Sequence, residues 1–281
     1  MTDKRRSLAE AIATIPDGSR LALGGNTLHR APAAAVHELI RQGKRGLELV
    51  KTAGAYDVDV LCAAGVASIV SAGFVGYETV AGMAPHYRRA VEGGTVEARE
   101  HACYTIIAGL RAASQGVPFM PLNGLQGSDL MALRGFARVR DPYASADAGP
   151  GDAGQDVVVI PAIVPDVALI HVQEADQDGN ACIVGSVFED TLMARAARRV
   201  IVTAERIVDR SVLAADPVRT SIPGFLVEAV VEAPNGAWPT SCAGQYGYDE
   251  TLLRDFVAAA ADPAALETFI NERILRRVAV A

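Results

Sequence analysis

Alternation is the feature that most narrows the folds open to this chain. Along most of its length, short apolar runs bounded by Gly, Pro or Asp trade places with helical stretches of about ten residues. Residues 20–24, 46–53, 66–74, 95–100 and 117–122 read as strands, with helices at 32–40, 57–64, 85–94 and 102–114 between them. Such a series builds βαβ units, whose strands lie parallel and are covered by helices on both faces. The sequence therefore predicts an α/β protein with an open, mostly parallel, Rossmann-like sheet flanked by helices.

Local signals mark the boundaries. Ser7 and Glu10 have capping-box spacing ahead of a short amphipathic helix that ends before the turn Pro16-Asp17-Gly18. Pro32 suits a first helical turn, where its missing N–H costs nothing. In the second half, 156–164, 166–173 and 199–205 read as strands and 190–198 as a helix. Residues 222–234 read as a further strand pair, and 249–261 and 264–275 as two closing amphipathic helices. Between 124 and 155 the periodicity lapses and Gly, Asp, Ala and Pro accumulate. A long loop is expected there, inside a single domain spanning 1–281, and such loops are more often functional or mobile than idle.

Composition excludes several classes of function. The chain has 281 residues, half of them hydrophobic, and a formal charge of −7. That is enough apolar material for a large core, while the acidic balance argues against nucleic acid or an anionic membrane as partner. No apolar run reaches the roughly 18 to 20 residues of a spanning helix, and MTDKRRSLAE leads into no apolar signal segment. A cytoplasmic location is the expectation. Cys62, Cys103, Cys182 and Cys242 form no C-x-x-C pair, and no His/Cys/Asp cluster has ligand spacing, so buried thiols and no metal are expected.

LALGGNTLHRAP, residues 21–32, runs an apolar strand into two glycines and opens a helix at Pro32. Glycine admits close backbone approach and positive φ. A strand end that meets a helix N-terminus offers amide donors to a carboxylate, a phosphate or a developing oxyanion. The spacing is neither G-x-G-x-x-G nor a Walker A loop. Physics alone leaves a tight turn and a ligand loop as even alternatives.

The same residues resemble the start of the A (alpha) subunits of type I coenzyme A transferases. Asp17-Gly18, the apolar strand, Gly24-Gly25 and Ala31-Pro32 follow that pattern, with Asn26 and Arg30 where the family has an aromatic residue and a glycine. GVPFMPLNGLQGSDL, 116–130, resembles a segment of the glutaconate CoA-transferase-like branch. PDVALIHVQEADQDGNACIVG (165–185), RRVIVTAERIV (198–208) and PGFLVEAVVEAPNGAWPTSCAGQYGYDE (223–250) resemble later family segments in the same order. The resemblance runs from about residue 5 to about 255.

It implies a CoA-transferase-like fold and half of an enzyme. In that family the acyl-CoA thioester is attacked by a glutamate of the partner B (beta) subunit, and coenzyme A reopens the acyl-glutamyl anhydride as a glutamyl thioester. No E-x-G-x-x-G-type motif occurs in this chain. The nucleophile is thus expected on a B subunit, in a heterodimer or an α2β2 assembly, with a coenzyme A thioester as substrate and no other cofactor. The expected reaction is CoA transfer between small carboxylic or dicarboxylic acids. Members on the same scaffold include steroid-ring-opening thioester hydrolases, in which an A-subunit glutamate near Glu100 takes over, and a glutaconyl-type decarboxylase. A non-catalytic acyl-CoA-binding subunit is a further alternative.

The candidate site residues follow. Gly24 and Gly25 would offer backbone contacts, with Asn26 and His29 as polar groups beside them. GFVGYE, 73–78, lies at the carboxyl end of a strand, where open sheets bind ligands. Phe74, Gly76, Tyr77 and Glu78 are pocket candidates there, although Phe74 and Tyr77 also read as core aromatics. Glu100 beside His101 reads either as a general base or as a helix-cap or ion-pair residue. Gln126 and Ser128 read as substrate contacts or as turn residues. His171, in an apolar strand, reads as a core histidine.

Overall fold

Among the described residues, seven parallel strands form the main sheet, with neighbours brought together from both halves of the chain. The computed structural model describes residues 3–143 and 156–276. The first half runs α1 (Leu8–Ala13), β1 (Arg20–Leu23), α2 (Ala33–Arg41), β2 (Leu47–Gly54), α3 (Tyr56–Ala63), β3 (Ala67–Val75), α4 (Pro85–Glu92), β4 (Glu97–Glu100) and α5 (Cys103–Ser114). There follow β5 (Phe119–Leu122), α6 (Leu130–Arg134), β6 (Ala137–Arg140), β7 (Asp156–Pro161), β8 (Val167–Asp176), β9 (Ala181–Cys182), α7 (Asp190–Ala196) and β10 (Arg199–Val208). The chain closes with α8 (Arg210–Ala215), β11 (Ala229–Glu232), α9 (Glu250–Ala259) and α10 (Pro263–Phe269), which runs into a π-helical turn, Ile270–Leu275. No helix among the described residues is long and apolar enough to cross a membrane.

The main sheet has the order β11-β10-β8-β1-β2-β3-β4, with β9 folded back antiparallel on β8. β8 is buried at all ten positions, as a strand covered on both faces must be. One face packs Leu21, Leu23, Leu49 and Val70 against helices that contribute Ile12, Leu39, Tyr56, Leu61 and Phe256. The other packs Ala22, Val50, Ile170 and Val202 against Ile106 and Leu110 of α5 and Met193 of α7. The capping box at α1 forms as its spacing predicts: Glu10 N–H donates to Ser7 Oγ and Ser7 N–H to the Glu10 carboxylate.

Three expectations are corrected. Residues 119–122 and 156–161 are not strands of the parallel sheet; with β6 they form a separate antiparallel sheet, β5-β7-β6. Its small core, Leu122, Phe136, Val158 and Ile160, packs on Ala108 of α5. The approach is close because Gly109 has no side chain: a Cβ there would lie 2.6 Å from Ile163. The stretch 124–155 is not one long loop, since α6 and β6 lie within it; the part from 144 to 155 falls outside the described residues. All four β6 residues are exposed, so no burial pattern announces the strand. Finally, 222–234 holds one strand rather than two. Pro223 leads instead into a 3-10 turn at Gly224–Leu226, where the Gly224 N–H donates to Asn180 Oδ1 at 2.9 Å.

Candidate active site

The loop after β1 rests on two buried ion pairs. The Gly24 carbonyl accepts from Lys51 Nζ at 2.6 Å, and that ammonium pairs with Asp57 at 2.5 Å. The Gly25 N–H donates to Asp190 Oδ1 at 2.8 Å, while Asp190 Oδ2 takes the Arg30 guanidinium at 2.6 Å. Arg30 also donates to the carbonyls of His171 and Ser186, so its buried charge is paired and hydrogen-bonded. A Cβ on Gly24 would stand 2.2 Å from Asp190 Oδ1, and one on Gly25 2.4 Å from the carbonyl oxygens of His29 and Arg30. The glycines are bare because the loop closes on itself and on these ions.

The amides follow suit. Gly24 N–H donates to the Leu169 carbonyl and Asn26 N–H to that of His29, so neither glycine N–H is free for a ligand. Thr27 and Arg30 hold φ of 43° and 55°, which a β-branched Thr adopts only when its surroundings compel it. Asn26 is half-buried, and its side-chain amide has no hydrogen-bond partner among the described residues. His29 is exposed, meets Ser241 Oγ at 2.9 Å and stacks over Phe188. It lines a hollow of about 240 Å³ together with Val184 and Ser186.

Two strands along the same carboxyl edge lies a larger cleft of about 610 Å³. Phe74, Val75, Met83, Tyr87 and Ala98 give it apolar walls, and Glu78 and Glu100 face into it. Both carboxylates are exposed, and neither makes a hydrogen bond or ion pair among the described residues. β3 and β4 set Glu100 there by register, since Ala72 pairs with Glu100 and both belong to the face that lines the cleft. Gly76 sits under Phe74, where a Cβ would come within 2.7 Å of the ring. Gly73 lets the start of α5 pack closely on the sheet, because a Cβ there would lie 2.4 Å from Cys103 N.

The other predicted residues separate from this group. Tyr77 is fully buried and donates its hydroxyl to Asp59 at 2.9 Å, so it belongs to the core and not to the cleft. Burial holds the Asp59 carboxyl up at about 7. His101 points to the opposite face from Glu100, with Nδ1 against Thr105 Oγ1 at 2.9 Å and its pKa pushed down to about 4 by burial and by Arg134 and Arg99. The adjacent pair in sequence is therefore divided by the sheet. Gln126 and Ser128 lie beside the small antiparallel sheet and make local bonds, to Asn123 Oδ1 at 3.4 Å and from Leu130 N–H at 3.3 Å, as turn residues do. His171 is buried, with Thr203 on one ring nitrogen and Glu205 on the other. Cys242 joins them in a group compact enough for a metal, but Tyr246 O–H and Asn235 N–H already donate to Glu205. Cys103 is exposed, while Cys62, Cys182 and Cys242 are buried free thiols.

The family model for Coenzyme A transferase matches residues 5–233. The chain belongs to this family. Within it, the glutaconate CoA-transferase alpha-type (A) chain of Acidaminococcus fermentans is 34% identical over 96% of the chain and 87% of its own length. The crystal structure of glutaconate coenzyme A-transferase from that organism superposes with a TM-score of 0.89, covering 97% of this chain and 89% of the other at 32% identity. This member therefore sits on the glutaconate-type A-subunit branch.

Family members with other named reactions are similarly near. The cholesterol ring-cleaving hydrolase IpdA subunit of Mycobacterium tuberculosis is 32% identical over 96% of the chain and 93% of its own length. The crystal structure of a variant of the decarboxylase AibA/AibB gives a TM-score of 0.84 at 38% identity, covering 96% of this chain and all of the matched one. An Archaeoglobus fulgidus protein is 40% identical over 92% of the chain, which spans 56% of that longer relative.

Proposed function

We propose that this chain is the alpha-type (A) half of a two-subunit acyl-CoA:carboxylate CoA-transferase acting on thioesters of small carboxylic or dicarboxylic acids. The observation that supports it best is the cleft. An apolar trough lies at the carboxyl edge of β3 and β4, in a chain 34% identical to the alpha-type half of a glutaconate CoA-transferase. A coenzyme A thioester is the substrate, with no other cofactor. The acyl carbonyl is attacked by a glutamate of a B subunit, which expels CoA thiolate and leaves an acyl-glutamyl anhydride. The thiolate then attacks the glutamyl carbonyl of the anhydride and releases the carboxylate; a second acid reverses both steps. This chain supplies one wall, where Phe74 and Met83 strip water from the acyl group and Asn26 offers its free amide. Gly24 and Gly25 act by shaping the loop that presents Asn26 and His29. The assembly is a heterodimer or an α2β2 tetramer, located in the cytoplasm.

A thioester hydrolase is the second reading, favoured by one observation: Glu100 is solvent-reached and unpartnered in the cleft, as a base that activates water must be. Glu100→Gln separates the two. The complex, purified with the product of the neighbouring gene, is assayed with acyl-CoA in the presence and absence of a free carboxylate acceptor. Transferase action predicts acceptor-dependent exchange that survives the substitution within a few-fold. Acceptor-independent release of CoA that drops about a hundredfold or more in Glu100→Gln would replace it with the hydrolase.

A further inference from the structure

On the face of β3 and β4 turned away from the cleft, a hollow of about 190 Å³ opens between the main sheet and the small antiparallel sheet. Strand parity separates the two where β3 and β4 pair. Ser71 and Arg99 point into this hollow, whereas their neighbours Ala72, Ala98 and Glu100 line the cleft. Arg20 of β1, Arg99 of β4 and Arg134 of α6 converge on it. Against these three guanidiniums stand two carboxylates. Glu48 Oε1 is shared by Arg20 Nε at 3.0 Å, Arg99 at 3.4 Å and Ser71 Oγ at 3.3 Å, and Glu97 takes Arg99 at 2.8 Å.

Arg134 is left over. Among the described residues its guanidinium makes no hydrogen bond or ion pair, and its Nε is buried without a partner. An Nε buried without a partner costs free energy, and the charge it belongs to stands beside two others of the same sign. Burial, then Arg99, pull its pKa below the ordinary arginine value. The side chain is nonetheless held there by a helix whose last residue it is, just before the left-handed Gly135.

We propose that this hollow is a binding site for a small oxyanion of phosphate size, gripped by Arg134 together with Arg99 and Arg20. The volume of about 190 Å³ suits one such group. Arg supplies a fixed fork of N–H donors suited to tetrahedral or planar oxyanions. Glu48 neutralises part of the charge, so a single negative group completes the balance of three cations and two carboxylates. The bound anion would tie β4, an edge strand, to α6 and so fix the strand that carries Glu100 on its other face.

The probes are inorganic phosphate and adenosine 3′,5′-bisphosphate, titrated into the full chain at constant ionic strength set with chloride. His101, which lines the hollow, reports by its imidazole NMR signals, with His29 on the far edge as an internal control. The proposal predicts saturable phosphate shifts at His101 and none at His29, weakened about tenfold or more in Arg134→Gln. Tighter binding of the bisphosphate, equally dependent on Arg134, would identify the oxyanion as the phosphate end of a larger ligand. Arg134→Gln should melt no lower than the parent without phosphate, because one of three crowded like charges has been removed, and should lose the phosphate-induced rise in Tm. The same rise in parent and variant, or no saturable shift at His101 with either probe, would overturn it.

Discussion

At Gly24 a single methyl group decides whether a buried ion pair survives. A Cβ 2.2 Å from Asp190 Oδ1 must displace the carboxylate that takes both the Gly25 N–H and the Arg30 guanidinium. Breaking such a pair leaves an uncompensated buried charge, so Gly24→Ala should cost about 3 kcal/mol, read as a lower denaturant midpoint. An unchanged midpoint would mean that the loop does not rest on Asp190. Residue-scale chemistry was only half legible beforehand. The two glycines announced a close approach, but what approaches comes from Arg30, Lys51, Asp57 and Asp190, scattered over the sequence and paired only by the fold. That Glu100 and Phe74 line a cleft was legible because a strand end is a local property, whereas the direction of Tyr77 depends on Asp59 of α3.

Among the elements, the closing helices α9 and α10 are anchored on one side chain. Phe256 is fully buried, packs edge-on against Tyr56 and lies against His86 and Phe269. Phe256→Ala should cost about 3 to 5 kcal/mol, the range for emptying an aromatic site in a core. Equilibrium unfolding tests this, and a loss below about 1 kcal/mol would show that these helices are dispensable to the core. Strong periodicity made the parallel strands and their helices readable, since buried strands are continuous apolar runs. The β5-β7-β6 sheet was not readable as a unit. β5 and β7 look like the other apolar strands, and their partner β6 is exposed throughout, so only the pairing itself distinguishes them. That small sheet matters because α6, which leads into it, carries Arg134.

For the whole molecule, buried titratable groups set the pH range of stability. Burial lowers the pKa of His37 to about 3 and of His101 to about 4, and also depresses His86 and His171. The unfolded chain binds protons at these sites below about pH 6.5 while the native state does not, so stability is lost as pH falls from there toward 4. Asp59 acts the other way. With its carboxyl held up at about 7, the native state keeps a proton that the unfolded chain releases above about pH 4, so its contribution falls as pH rises toward 7. Four imidazoles outweigh one carboxyl. Denaturation midpoints should therefore climb between pH 4 and about 6.5, and Asp59→Asn should steepen the climb. A midpoint that fell over that interval would contradict these assignments.

The same scale holds the central claim, that this chain shapes the acyl-CoA cleft while the nucleophile belongs to a partner. The most direct test is intact mass of both chains of the purified complex after incubation with acyl-CoA and borohydride, which reduces a glutamyl thioester to an alcohol. The account predicts the reduced residue on the partner chain and none on this one, with labelling that survives Glu100→Gln. Modification of this chain itself, or turnover with neither chain modified, would contradict it.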